Sequence, residues 1–244
     1  MGVASRNGIT AARLAAEGAR GARYAFEGPA GFVRAFAGQD GWTAPDDWEL
    51  GRRWRILDVI YKAHPVCNIT QCTVDVAIAL ASENDLVPAD VEKITLHLNP
   101  VDRVYPGTLN WGPFEDVGAT LMSAPYCLAM GFALRTATLD GLRRFADPDI
   151  ARLIERTEVL PDDRLPVLSA RIELRTTDGR DLSLEHIPDD ATFGWDWAGI
   201  SANVDRLCAE MEHGGRTIPA LKAALRSLEQ LETVEPLLQA TVSR

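Results

Sequence analysis

The chain has 244 residues, which is enough for one large domain or two smaller ones. Its apolar share of 46% and charged share of 25% are ordinary for a soluble globular protein. The net charge of -10 argues against a nucleic-acid binder, which needs a concentrated basic surface. No apolar run approaches the roughly 18 residues of a membrane span. The four cysteines form no CxxC pair, and the N-terminus has no secretory apolar core, so we expect a cytoplasmic protein with reduced thiols.

The N-terminal segment is predicted to be helical. Residues 9–19 form an Ala-rich pattern with small residues for close packing, and Gly18 and Gly21 mark its expected end. A second short helix fits residues 30–36. The Gly-, Asp- and Pro-rich stretch 38–47 is predicted to be a loop and the first domain boundary.

The middle of the chain mixes strands and helices, which predicts the α+β class. Apolar and polar residues alternate in the three predicted strands, and Asp178-Gly179 between the last two is a strong hairpin signal. The strands are predicted at 91–98, 169–175 and 181–186. The helices are predicted at 72–82, 117–134 with an interruption at Pro125, 139–145 and 149–157, the last opening at Asp147-Pro148. The apolar run 55–61 fits either a strand or a short helix.

Two further helices are predicted at the C-terminus, over residues 201–211 and 218–238. We therefore expect three parts: a helical segment over 1–47, an α+β domain over 48–190, and C-terminal helices over 191–244.

A short polar segment over residues 61–71 concentrates the chemistry of the chain. Its sequence, YKAHPVCNITQ, holds a cation, an imidazole, a thiol and two amides between two apolar runs. Lys62 is one of only three lysines, against 22 arginines. Such a cluster predicts a cleft for an anionic ligand.

Four stretches together resemble the MmgE/PrpD family, which includes 2-methylcitrate dehydratase, cis-aconitate decarboxylase and iminodisuccinate epimerase. GVASRNG at 2–8 and EGPAGF at 27–32 are similar to the family's G-x-A-x-x-x-G helix and E-G-x-x-G-F turn. KAHPVCNITQ at 62–71 resembles its K-x-Y-P-x-C-x-x-x-H. SAPYCLA at 123–129 is similar to S-x-x-Y-x-x-A, and the Asp178-Gly179 hairpin to the late V-x-L-x-D-G strand pair.

The resemblance implies helical segments of an all-α large domain flanking a small α+β lid domain. It covers only the C-terminal half of a family member. The histidine-bearing N-terminal half is then either lost or, as we expect, carried by a partner chain in a heteromeric complex. Family reactions remove a proton, or lose carbon dioxide, next to a carboxylate. Such chemistry calls for cations that bind carboxylates and for a positioned acid and base, and for no cofactor.

The resemblance assigns candidate roles to six residues of the N-terminal segment and the polar segment, and the first three are a lysine, an arginine and a cysteine. Lys62 matches the family's lid lysine and is expected to clamp a substrate carboxylate, the alternative being a solvated side chain. Arg6 stands where decarboxylases carry an active-site lysine, and it could bind a carboxylate in bidentate fashion or lie on a helix surface. Cys67 takes the position of the motif cysteine, where cis-aconitate decarboxylase has a catalytic histidine, so it could lie beside the substrate, the alternative being a small buried hydrophobe.

The two amides and the histidine of this segment are less clearly assigned. Gln71 replaces a family histidine and cannot exchange protons, so it and Asn68 are predicted to bind and orient substrate, or else to cap the following helix. His64 is a compensating acid or base, or a packing residue before Pro65.

Ser123 and Tyr126 are the remaining substrate-binding candidates, with helix capping and core packing as their alternatives. His97, His186 and His213 are scattered without ligand spacing, so no metal is predicted.

Three functions follow from the resemblance. The first is a lyase subunit that dehydrates or decarboxylates a small di- or tricarboxylate. The second is an isomerase or epimerase that removes and returns an α-proton. The third is a non-catalytic subunit that stabilises a heteromeric complex.

Overall fold

The structure is a computed structural model that describes residues 2–43, 49, 51–209 and 214–241. The chain forms two compact units, residues 1–59 and 60–244. The three-part division at residues 47/48 and 190/191 stays a prediction, and residues 44–48 next to the first boundary lie outside the described part, as does His213.

Within its described residues, the first unit contains the α-helices α1 (Gly2–Ala16) and α2 (Phe32–Ala37). Helix α1 ends just before Gly18, as predicted, but it begins seven residues earlier than the predicted start at Ile9. The turn before α2 requires glycine, because a Cβ on Gly28 would lie 2.6 Å from the Tyr24 carbonyl oxygen. The apolar run over 55–61 forms only a single 3-10 turn, Arg55–Asp58.

The second unit is built on a four-stranded mixed sheet, which confirms the predicted α+β class. Its strands are β1 (Val91–Leu98), β2 (Thr157–Pro161), β3 (Ala170–Thr176) and β4 (Asp181–His186), in the order β2-β1-β3-β4. Strand β1 pairs parallel to β2 and antiparallel to β3, and β3 pairs antiparallel to β4.

The inner face of this sheet carries the core. The alternation in β1 places Ile94, Leu96 and Leu98 inward, and all three are fully buried. They join a hydrophobic cluster with helix α3 (Gln71–Glu83) and the helix over 124–134. The opposite face is polar, and Lys93 there lies 2.6 Å from Glu158 of β2. This one-sided burial explains the period-two pattern that identified the strand.

The β3–β4 hairpin is where the Asp-Gly signal predicted it. Gly179 adopts a φ of +88°, a conformation that favours glycine, and the register pairs Arg175 with Asp181 across the turn. Strand β2 was not predicted. It has only five residues and ends in Pro161, which the sheet accepts because β2 is an edge strand.

The long helix predicted over 117–134 is two helices, α5 (Val117–Met122) and α6 (Ala124–Leu134), after the short α4 (Pro100–Arg103). The break lies at Ser123, because Pro125 fits the first turn of a new helix better than a helix interior. The next predicted helix, 139–145, is only a 3-10 turn at Gly141–Arg143. Helix α7 (Pro148–Glu155) starts after its Asp147 cap, as predicted.

The C-terminal region is helical, as predicted, with different boundaries. It comprises α8 (Asp190–Phe193), α9 (Trp197–Cys208), α10 (Gly214–Arg226) and α11 (Glu235–Thr241). No helix in the described part of the chain is long and apolar enough to cross a lipid bilayer.

Candidate functional site

The polar segment over residues 61–71 forms a loop that leads into helix α3. Val66 and Ile69 anchor it by turning into the protein interior. A 3-10 turn at Asn68–Thr70 precedes the first residue of the helix, Gln71. These two buried side chains fix the loop, so its polar side chains remain available for contacts with other parts of the protein or with a ligand.

Gln71 is the internal brace of this loop. Its side-chain oxygen accepts a hydrogen bond of 2.9 Å from the His64 backbone N–H. Its amide nitrogen lies 3.0 Å, 3.2 Å and 3.3 Å from the carbonyl oxygens of His64, Val66 and Cys67, to which it donates. The side chain is only 1% exposed. We therefore assign Gln71 to holding the loop, and this geometry gives no support to the predicted contact with substrate.

Helix α9 holds the same loop from its other side. The Asn203 side chain donates a 2.9 Å hydrogen bond to the Lys62 carbonyl oxygen, and Arg206 donates one to the carbonyl oxygen of Ala63. The path of the backbone around Lys62 is thus fixed by contacts distant in sequence, although its side chain stays exposed.

Lys62 and Cys67 place reactive groups on this braced loop. The Lys62 ammonium lies 3.2 Å from the Val66 carbonyl oxygen, the one hydrogen-bond partner it has within the described part of the chain, and an ammonium has three donors. Cys67 is half-buried, and its backbone N–H donates to the Leu121 carbonyl oxygen at 2.9 Å. A cation and a thiol on one rigid loop can bind a carboxylate beside a group able to exchange a proton.

Asn68 contributes an unsatisfied acceptor to the loop. Its side-chain oxygen is buried, and no donor among the described residues reaches it. A buried acceptor without a partner costs about 1–3 kcal/mol. The atom is an unused acceptor in a place closed to solvent, and the predicted contact of Asn68 with substrate stays a prediction.

His64 points away from solvent, toward a carboxylate that the sequence reasoning missed. Its Nε2 lies 2.7 Å from Asp75 Oδ1, and the other oxygen of Asp75 lies 3.2 Å from Nδ1 of His186. Asp75 thus joins the loop, helix α3 and the end of β4. Because a carboxylate accepts, it favours the proton on His64 Nε2 and on His186 Nδ1.

Cys72 lies on the same helix, one turn before Asp75, and is fully buried. Its sulfur, an Asp75 oxygen and a ring nitrogen of His186 all lie within 4.8 Å of one another. Burial, and secondly the negative charge of Asp75, raise the pKa of the Cys72 thiol to about 12. A lone acidic residue inside the apolar run of α3 was the one sequence signal of this cluster.

The predicted substrate contacts on α6 are occupied by structural hydrogen bonds. Ser123 is fully buried, donates a 2.6 Å hydrogen bond to the Asn110 carbonyl oxygen, and caps the helix by accepting from the Tyr126 N–H. Tyr126 is fully buried, and its hydroxyl donates to the Gly141 carbonyl oxygen at 2.8 Å. Both residues follow the capping and packing alternatives, because α6 passes through the core.

Arg6 lies on α1 in the first unit, with its side chain exposed. Its predicted carboxylate contact stays a prediction.

The second unit belongs to the class of α+β domains with a mixed sheet. The braced polar loop precedes its first α-helix, α3. A sequence model of the MmgE/PrpD C-terminal domain matches residues 64–188, about half of the chain. The chain therefore belongs to the MmgE/PrpD family. A comparison with curated proteins finds no match for it.

Thiol labelling provides a direct check of this geometry. We expect iodoacetamide to modify the half-buried Cys67 and Cys208 of the native chain at least about 100-fold faster than Cys72 and Cys127. Burial raises the pKa of the Cys127 thiol to about 12, like that of Cys72, so both lack thiolate. Peptide mass spectrometry over a time course measures the four rates, with the denatured chain as control. Fast labelling of native Cys72 would contradict the described packing of α3.

Proposed function

We propose that the chain is the C-terminal part of an MmgE/PrpD-type lyase that dehydrates or decarboxylates a small di- or tricarboxylate. The family membership supports this reaction class. The observation that carries the proposal is the braced loop, which exposes the Lys62 side chain and carries the half-buried Cys67 in the same short stretch. A cation on a fixed backbone suits a substrate that keeps at least one carboxylate throughout the reaction.

In this proposal Lys62 binds a substrate carboxylate and stabilises the charge that builds up beside it. Cys67, which is only half-buried, exchanges protons with the reacting carbon or leaving group. His64 supports the loop from inside, because its buried ring lies 2.7 Å from the carboxylate of Asp75. Further catalytic groups come from helical elements on a partner chain.

The exposed surface of α1 supports the partner. Val3, Ile9 and Leu14 are each more than half exposed, and α1 buries no side chain within the described part of the chain. A helix with apolar residues on several sides is usually covered by other helices. We propose that a helical partner chain covers α1 and completes the enzyme.

Co-expression tests the partner. We expect the chain to co-purify with a helical MmgE/PrpD N-terminal region supplied as a separate polypeptide, and Leu14→Asp to reduce recovery of the complex at least about tenfold by burying a charge. Arg20→Asp, in the exposed segment that follows α1, is the matched control and should leave recovery unchanged. A monodisperse monomer that does not bind such a region would refute the proposal of a partner chain.

An isomerase is the second candidate function, and the role of Gln71 favours it. The family position of a histidine is held here by an amide engaged in four loop hydrogen bonds, so one proton carrier is absent from this place. An epimerase needs only to remove and return one α-proton. Detection of α-proton exchange without loss of water or carbon dioxide would distinguish this function from the lyase.

A further inference from the structure

A cluster of potential metal ligands lies where α3, β4 and the loop 61–71 meet. Cys72 and Asp75 are three residues apart on α3 and so share one face of the helix, and His186 is the last residue of β4. The sulfur, one carboxylate oxygen and one ring nitrogen lie within 4.8 Å of one another. No ligand spacing in the sequence marks this set, because only folding brings the end of β4 onto a helix far earlier in the chain.

We propose that Cys72, Asp75 and His186 bind one divalent transition-metal ion of the zinc class. A thiolate, an imidazole and a carboxylate are the three ligand types that zinc takes in proteins. Harder ions such as magnesium and calcium prefer oxygen alone, so the thiol selects against them. Three protein ligands leave a fourth position open for water or another small ligand.

The surroundings of the cluster are compatible with a metal-binding site. Cys72 is fully buried, whereas the side chains of Asp75 and His186 are each about one third exposed, so an ion can enter from their side. Ligand atoms of a tetrahedral zinc ion lie about 3–4 Å apart, so a modest closure of the cluster completes the geometry. Metal binding would displace the thiol proton, which makes the affinity increase with pH.

His64 supplies the support that such sites need. Its Nε2 lies 2.7 Å from the Asp75 oxygen other than the one facing His186, and it can orient the carboxylate from outside. Its Nδ1 is buried and meets no partner among the described residues. A bound metal ion would hold the carboxylate of Asp75. Through its contact with Asp75, the ring of His64 would then be fixed, and with it the loop that carries Lys62. The inference does not depend on the proposed reaction.

Cobalt(II) is the probe that tests the site, because thiolate ligation gives it a characteristic charge-transfer absorption. We expect the purified chain to bind one equivalent with that band, and Cys72→Ser to abolish the band. His186→Ala, at a partly exposed strand end, should weaken Zn²⁺ affinity in a competition titration at least about tenfold, and so should His64→Gln through loss of its support. Circular dichroism of each variant confirms that the fold is retained.

Cys208→Ala, which removes a half-buried thiol of α9, is the matched control and should leave the band and the affinity unchanged. The inference is overturned if the wild-type chain takes up no cobalt. It is also overturned if the band persists in Cys72→Ser, or if Cys208→Ala removes it, since the metal would then bind at another thiol.

Discussion

Lys62→Ala is expected to lower kcat/KM of the assembled enzyme for its carboxylate substrate by about 100-fold or more. Removing a single charge-stabilising donor from an active site typically costs about 10²–10³ in rate. Gln71 and α9 hold the loop backbone in addition to the 3.2 Å contact that Lys62 makes with the Val66 carbonyl oxygen, so the fold should survive the change. Steady-state kinetics together with a melting curve would separate the two effects.

Lys93→Ala is the matched control for this experiment. Lys93 is also exposed, but it lies on β1, where it pairs with Glu158 at 2.6 Å. An exposed pair of this kind contributes little, and we expect unchanged kinetics. Lys62→Arg should recover only part of the activity, because guanidinium keeps the charge but not the compact point geometry. Equal kinetic constants for Lys62→Ala and Lys93→Ala would show that Lys62 does not bind the substrate.

Gln71→Ala is expected to lower the free energy of unfolding by about 2–4 kcal/mol. The change removes the partner of the His64 backbone N–H and donors to three carbonyl oxygens, in a place that water does not reach. Buried polar groups left without partners cost more than the lost hydrogen bonds themselves. Urea denaturation of the variant and the wild-type chain measures the difference.

Two further substitutions sharpen the test of Gln71. Gln71→Glu keeps the size and the acceptor but turns a carboxylate toward carbonyl oxygens, so it should destabilise strongly at neutral pH and less in acid, where it is protonated. Gln239→Ala removes an exposed amide of α11 whose side chain donates to Glu235, and it should change stability by less than about 0.5 kcal/mol. A mild effect of both Gln71 changes would contradict the bracing role.

The elements with a strong local signal were predictable from sequence. Strand β1 alternates because one face of the sheet is buried, and the β3–β4 turn needs the glycine conformation that Gly179 supplies. The Asp147 cap identified the start of α7 for the same local reason. Strand β2 was missed because its pairing with β1, and not its own five residues, makes it a strand.

The site was only partly predictable, because its geometry depends on contacts between distant segments. The sequence pointed to the polar loop, but it could not show that Gln71 turns inward while Lys62 stays exposed. Asp75 and His186 come together only through the packing of β4 on α3. The sequence left Ser123 with two candidate roles, substrate binding and helix capping. Only the folded chain shows that its hydroxyl donates to the Asn110 carbonyl oxygen.

Proton NMR in deuterium oxide tests most directly the proposal that the braced loop binds a substrate carboxylate in an MmgE/PrpD-type lyase. The assembled complex is incubated with a panel of small di- and tricarboxylates. We expect an alkene or decarboxylated product from at least one of them, and at least about 100-fold slower formation with Lys62→Ala. Product formation that Lys62→Ala leaves unchanged, or α-proton exchange without any elimination, would contradict it.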